Sequence, residues 1–143
     1  MRSLSPLILA ATLTGCASDL PPRDPQQAWV ELHAQLPSQT LSASRLDGQR
    51  LRDGRFFQMP PGAHELVVRY TFERSGGGSG GGMQPGSTPG DISCYLRVRY
   101  DGFTSGQRYR LEARPLAAKA QAWLYGEGRT PLARGEVLRC GPY

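Results

Sequence analysis

Pro60-Pro61-Gly62-Ala63-His64-Glu65-Leu66-Val67-Val68-Arg69-Tyr70-Thr71-Phe72-Glu73 carries the clearest structural signal in the chain. From His64 onward, His64, Leu66, Val68, Tyr70 and Phe72 take alternate positions, with Glu65, Val67, Arg69, Thr71 and Glu73 between them. Successive side chains of a β-strand point to opposite faces. A period of two therefore sets the first group against a core and leaves the second mostly in water. Pro60-Pro61-Gly62 makes the turn that feeds this strand. Ile92-Ser93-Cys94-Tyr95-Leu96-Arg97-Val98-Arg99-Tyr100 repeats the pattern, with Ile92, Cys94, Leu96, Val98 and Tyr100 on one face. The two stretches are expected to pair as a hairpin, with Cys94 pointing inward.

The same signals continue outward from this pair. Asp101-Gly102 reads as a turn, after which Tyr109, Leu111 and Ala113 face in while Arg108, Arg110, Glu112 and Arg114 face out. Two weaker strands follow, Ala117–Tyr125, ended by the Gly126-Glu127-Gly128 turn, and Glu136–Cys140. Upstream, Leu41–Leu46 runs into Asp47-Gly48, a strong tight-turn pair, and Asp53-Gly54 precedes Phe56-Phe57-Gln58-Met59. Ala28–Ala34 reads as a strand because Val30, Leu32 and Ala34 alternate with polar neighbours. The alternative is a helix capped by Asp24-Pro25-Gln26-Gln27, with Ala28, Leu32 and Leu36 on one face and Pro37 ending it. No 3.6-residue period is sustained after residue 40. The expected fold is all-β, an antiparallel β-sandwich of six to eight short strands in a single domain over 28–143. Residues 75–90 hold eight glycines in 16 positions, too little apolar surface to offset ordering entropy, and are expected to be a flexible Gly-rich hairpin loop.

The N-terminus carries a different kind of signal. Arg2 supplies a positive charge, and Leu4, Pro6, Leu7, Ile8, Leu9, Ala10, Ala11 and Leu13 form an apolar run. That run falls short of the roughly 20 residues a membrane-spanning helix needs. It ends in Leu13-Thr14-Gly15-Cys16, which resembles the lipobox of bacterial lipoproteins. The resemblance implies a signal peptide over 1–15, cut before Cys16, and a lipid attached at Cys16. One acyl chain anchors only marginally, and several make attachment durable. Residues 16–27 then read as the lipidated Cys16 and a Pro-rich tether, extended at about 3 Å per residue. Ala17 and Ser18, not Asp, follow Cys16. By the same resemblance this implies the outer membrane, with the domain facing the periplasm.

Removal of 1–15 leaves 128 residues, one domain's worth. Arg supplies 16 of the 17 cationic side chains, and the mature chain carries a net charge of about +4. Such a balance lacks the basic clusters of a nucleic-acid-binding module, so no nucleic-acid partner is expected. Lipidation of Cys16 would leave Cys94 and Cys140, and an exported chain meets an oxidising compartment. A Cys94–Cys140 disulfide is expected, closing a loop of 46 residues. On the chain-entropy model it contributes roughly 4 kcal/mol. Two free buried thiols are the alternative.

Sites of chemistry are sparse. No CxxC or Cys/His spacing marks a metal, and the Gly-rich stretch lacks the Gly-Lys-Ser/Thr of a P-loop, so no metal or cofactor is expected. Only two histidines occur, His33 and His64. His64 sits on the inward set of its strand and reads as a hydrogen-bonded core or edge residue. No Gly-x-Ser-x-Gly elbow or motif-placed carboxylate pair appears, so no catalytic residue is assigned. The most suggestive surface is a cationic ladder of Arg97 and Arg99 on one strand and Arg108, Arg110 and Arg114 on the next, if the two strands join as a hairpin. Guanidinium forks bind phosphate and carboxylate, so this face could hold an anionic glycolipid or an acidic partner. Alternatively it is a solvated face whose arginines pair with Glu65, Glu73 and Glu112. Trp29 and Trp123 read as core or rim aromatics.

Leu46-Asp47-Gly48, Pro61-Gly62-Ala63-His64-Glu65-Leu66-Val67-Val68, Cys94-Tyr95-Leu96-Arg97-Val98 and Gly106-Gln107-Arg108-Tyr109-Arg110-Leu111 together resemble a pattern in small envelope β-sandwich lipoproteins of unknown function. The resemblance implies fold and location and no activity, and the long glycine insert departs from it. The expected role is that of a membrane-anchored periplasmic lipoprotein, a non-catalytic binding or structural accessory of the envelope. Its partners would be the membrane, through the N-terminal lipid, and an envelope protein or glycolipid. Anion binding through the arginine face and a hydrolase site assembled only in three dimensions are the alternatives.

Overall fold

The computed structural model describes residues 19–74 and 90–142. Its strands, in chain order, are β1 (Ala28–Ala34), β2 (Thr40–Leu46), β3 (Gln49–Arg50), β4 (Phe56–Met59), β5 (Gly62–Glu73), β6 (Asp91–Phe103), β7 (Arg108–Leu116), β8 (Lys119–Tyr125), β9 (Pro131–Arg134) and β10 (Glu136–Pro142). They form two five-stranded sheets, ordered β4-β1-β7-β8-β9 and β10-β6-β5-β2-β3. One 3-10 turn, Glu127–Arg129, joins β8 to β9. The protein is all-β, and Ala28–Ala34 is a strand rather than a helix. The expected signal segment 1–15, Cys16 and residues 75–89 of the Gly-rich stretch lie outside the described residues.

Alternation in β5 and β6 places side chains as their period dictates. Leu66, Val68, Tyr70 and Phe72 of β5 meet Leu96, Val98, Cys94 and Ile92 of β6 on the inner face, and each of these is at most 9% exposed. The other sheet faces them with Val30, Phe57, Met59, Leu111, Ala122 and Leu124, all fully buried. Burying a large apolar side chain contributes about 1.5–3 kcal/mol, so this shared layer dominates the stability of both sheets. Phe103 and Tyr109 close one end in an edge-to-face pair at 5.0 Å. Toward the other end, the buried Tyr70 hydroxyl donates to Gln39 Oε1 at 2.6 Å. Burial pushes that hydroxyl up to about 12, so it stays a neutral donor.

Three expectations need correction. Ten strand segments occur among the described residues, against an expected six to eight. The two-residue β3 and four-residue β9 are too short to show a period. The sheets are not wholly antiparallel, because β1 runs parallel to β7 from Trp29↔Arg108 to Ala34↔Ala113. Both strands enter from the same end, where Gly106 N–H donates to Gln27 O and Trp29 N–H donates to Gln107 O. Asp101-Gly102 does not end β6, which continues to Phe103 through an irregularity in its pairing with β5. Within the expected tether 16–27, Asp24 N–H donates to Gln58 Oε1 and Gln27 N–H returns to Asp24 O, so its last residues lie against β4.

Cys94 and Cys140 form a disulfide. They stand directly opposite on β6 and the edge strand β10, with Cα atoms 4.1 Å apart. The bond therefore fixes β10 to the sheet at one rung. Reduction, or Cys94→Ala/Cys140→Ala, is expected to remove roughly 4 kcal/mol of unfolding free energy. Denaturant unfolding with and without reductant checks this, and hydrogen exchange should rise first along β10.

Candidate functional site

The five ladder arginines divide between two surfaces. β6 and β7 belong to different sheets, so Arg97 and Arg99 lie on the outer face of the β10-β6-β5-β2-β3 sheet. Arg108, Arg110 and Arg114 lie on the outer face of the other sheet. The expected hairpin between them does not form, because residues 104–107 carry the chain across the sandwich instead of back along it. Four of the five are ion-paired. Arg97 meets Glu136 at 2.7 Å, Arg99 meets Glu65 at 2.8 Å and Arg108 meets Glu31 at 2.7 Å. Arg110 pairs with Glu112, which Arg129 also reaches at 3.1 Å. Arg114 donates to Gln121 Oε1 at 3.2 Å. The Arg97 guanidinium holds the Glu136 carboxyl below its ordinary value. Exposed pairs of this kind contribute little to stability, and they leave the ladder largely neutralised.

Several shallow grooves cross these outer faces, two of them beside the arginines and aromatic rings. The first, about 300 Å³, lies on the sheet containing β7 and β8, where Trp123 and Tyr125 stand beside Arg110, Glu112, Arg129 and His33. Arg134 sits over the Trp123 ring at 5.6 Å, and Arg129 over the Tyr125 ring at 5.7 Å. His33 Nε2 is buried without a hydrogen-bond partner, 3.6 Å from the Glu31 carboxylate. Flat aromatic faces among guanidinium and carboxylate groups make a binding surface. Trp29, by contrast, is 4% exposed and stacks on Phe56 at 4.2 Å, so it serves packing.

The second groove, about 370 Å³, lies on the opposite sheet, with Arg45, Arg50, Arg139, Tyr95, Val67 and Leu138 among its lining residues. None of these three arginines belongs to the ladder read from the sequence. Their period-two positions would turn Arg45 and Arg139 inward. Two irregularities in pairing, which no residue type signals, turn them outward.

His64 has a structural role that its surroundings define. Its Nδ1 lies 2.6 Å from Asp47 Oδ2, and its Nε2 lies 2.7 Å from Pro60 O. Asp47 Oδ1 also accepts the Glu65 N–H at 2.8 Å. Asp47 and Gly48, both with positive φ (49° and 82°), form the two-residue turn between β2 and β3. Asp47 and His64 thus fasten that hairpin to the start of β5, and both ring nitrogens are committed. Among the described residues no group of three His, Cys, Asp or Glu side chains is gathered for a metal. Likewise, no helix among them is long and apolar enough to cross a membrane. Compared with protein-family models, with curated proteins and with solved structures, the chain gives no match.

Partial burial acts to raise the Asp47 carboxyl, but the Glu65 N–H and the His64 ring outweigh it and hold it below its ordinary value. A depressed folded-state value means stability that is present above the unfolded value near 4 and lost as pH falls through the folded one. Asp47→Asn is expected to flatten that acid limb in pH-dependent denaturation. Asp47→Ala should cost about 1–2 kcal/mol at neutral pH, since it also removes the acceptor for the Glu65 N–H. An acid limb of unchanged slope in Asp47→Asn would show that the carboxylate contributes nothing there.

Proposed function

We propose that this chain is a lipid-anchored periplasmic lipoprotein, a non-catalytic binding accessory of the cell envelope. The observation that carries this reading is Leu13-Thr14-Gly15-Cys16 at the end of a short apolar run, followed by a proline-rich segment exposed from residue 19 to residue 26. Such an order suits a domain hung from a bilayer by its N-terminus. The Cys94–Cys140 disulfide supports the same address, since cytosolic thiols are kept reduced. Ala17-Ser18 after Cys16 favours the outer membrane.

Binding at the outer sheet faces is the mode that the surface supports. Both grooves are shallow and lined by arginine and aromatic side chains, the inventory of a recognition surface. The anion-binding alternative finds little support in the original ladder, whose members are split and paired. An envelope protein or a glycolipid remains the partner class.

Intact-mass analysis of the full chain purified from membranes is expected to give a product that begins at Cys16 and carries diacylglyceryl and acyl groups. Cys16→Ser is expected to move the protein from the membrane fraction to the soluble one. An unmodified N-terminus, or a Cys16→Ser form that still sediments with membranes, would overturn the proposal.

A further inference from the structure

Two β-bulges converge on the second groove. On β2, pairing with β5 runs Ser42↔Arg69, Ala43↔Val68, then skips Ser44 and resumes at Arg45↔Val67. On β10, pairing with β6 runs Glu136↔Arg97, Val137↔Leu96, then skips Leu138 and resumes at Arg139↔Tyr95. Because the side-chain period is two, one extra residue reverses the face of everything after it. Ala43 faces the core, and without the bulge Arg45 would face it too. Val137 faces the core, and without the bulge Arg139 would follow it. Each irregularity therefore turns an arginine outward, and the two flank the paired strands β5 and β6 from opposite sides.

Charge at this place is uncompensated. Arg45 stands directly opposite Arg50 across the β2–β3 hairpin, and both are exposed. Like charges in a cross-strand pair destabilise a hairpin. Among the described residues neither guanidinium has an acidic partner. Arg139 is held over the Tyr95 ring at 4.5 Å, which fixes its position without neutralising it. Glu65, the one carboxylate lining the groove, is committed to Arg99 at 2.8 Å. Three cations thus border a floor of Val67 and Tyr95.

We infer that this groove is a binding site for a phosphate group, held by Arg45, Arg50 and Arg139. A planar carboxylate fills one guanidinium fork. A phosphomonoester spreads its acceptor oxygens over a tetrahedron and accepts from several forks on different sides. Arginines arriving from β2, β3 and β10 suit the second shape. The exposed Leu138 and the Tyr95 ring give the remainder of a phosphorylated molecule, such as a sugar, a surface to lie on. The site deepens the binding role proposed above and names its ligand chemistry.

Thermal unfolding of the full chain in non-ionic detergent tests it, with inorganic phosphate and glucose 1-phosphate as probes and chloride at matched ionic strength as control. Both phosphates are expected to raise the wild-type midpoint beyond chloride. Arg45→Gln/Arg50→Gln should weaken binding at least tenfold, and Lys119→Gln, on the other sheet, should leave it unchanged. Arg139→Gln provides a second loss-of-binding variant that leaves the hairpin intact. Arg50→Gln alone should melt higher than wild type without phosphate, by roughly 1–3 °C, because the like-charge pair is gone. Tighter binding of glucose 1-phosphate supports a phosphorylated saccharide, and equal binding supports the free anion. A wild-type response no larger than that to chloride overturns the site, as does undiminished binding by the double variant. A poly-glutamate peptide that binds more tightly than either phosphate would overturn the phosphate assignment. None of these outcomes alters the mass found at Cys16, so failure here is distinct from failure of the anchor.

Discussion

Pairing of β5 with β6 is the constraint on which the other elements depend. The two strands run antiparallel from Glu73↔Asp91 to Gly62↔Phe103, and their inner side chains supply much of the apolar layer. β2 takes its register from β5, and β10 takes its register from β6. The facing sheet has no pairing of comparable length among its own strands, and its Val30, Phe57, Leu111 and Leu124 join the same buried cluster. A slip of β6 by one residue against β5 would turn Ile92, Cys94, Leu96 and Val98 out of the core together. Core burial therefore specifies the register without help from the turn residues.

Fixing the central pair makes the flanking strands free to be irregular. β2 and β10 each pair with the central strands on one side, and each holds one bulge. Downstream of the bulge, Leu46 and Cys140 recover their inward positions, so the core and the disulfide lose nothing. What changes is the identity of the outward residue, which becomes Arg45 or Arg139. A disulfide one rung beyond the β10 bulge limits how far that irregularity can propagate. The hairpin beyond the β2 bulge is held in turn by Asp47 and His64. Each bulge is thus followed by a fastening, an arrangement that fixes the direction of both arginines.

How far the sequence disclosed all this follows from the range of each signal. Period-two alternation is local and strong in β5, β6 and β7, so these strands and their inward residues could be read directly. Asp47-Gly48 announced its turn because both positions need positive φ, which Asp tolerates and Gly accepts at no steric cost. The β7–β8 turn gave no such notice: Ala117 takes φ 53°, a conformation its side chain does not advertise. Assignment of β6 and β7 to different sheets depends on contacts far apart in sequence, among them Gly106 with Gln27. That one non-local fact divided the arginine ladder. The bulges were invisible for a related reason, since only a partner strand reveals that two residues oppose one. Arg45, Arg50 and Arg139 consequently carried no signal at all, while the ladder arginines that did carry one are those the fold neutralises.

Position along the sandwich relates the N-terminal segment to the hairpin that carries Arg45 and Arg50. Gln27 bonds Gly106 at the end where β1 and β7 begin, and Thr104 N–H donates to the Tyr109 hydroxyl beside Phe103. Phe103 pairs with Gly62, and His64 links Pro60 to Asp47 in the β2–β3 turn. The tether therefore leaves the domain at the same end as the hairpin that carries Arg45 and Arg50. Glu73 pairs with Asp91 at the far end. Measured from the tether's end, Arg45 and Arg50 stand at the rung of Val67, midway along β5, and Arg139 stands farther on, at the rung of Tyr95 and Arg69. Electrostatic attraction fades within about 10 Å at physiological salt, so the three cations act on an anion that reaches the groove itself. Like-charge repulsion across the hairpin is then the cost of keeping those charges unpaired where an anion can reach them, whereas Arg97, level with Arg45, and Arg99, nearer the Gly62 end, are matched by Glu136 and Glu65.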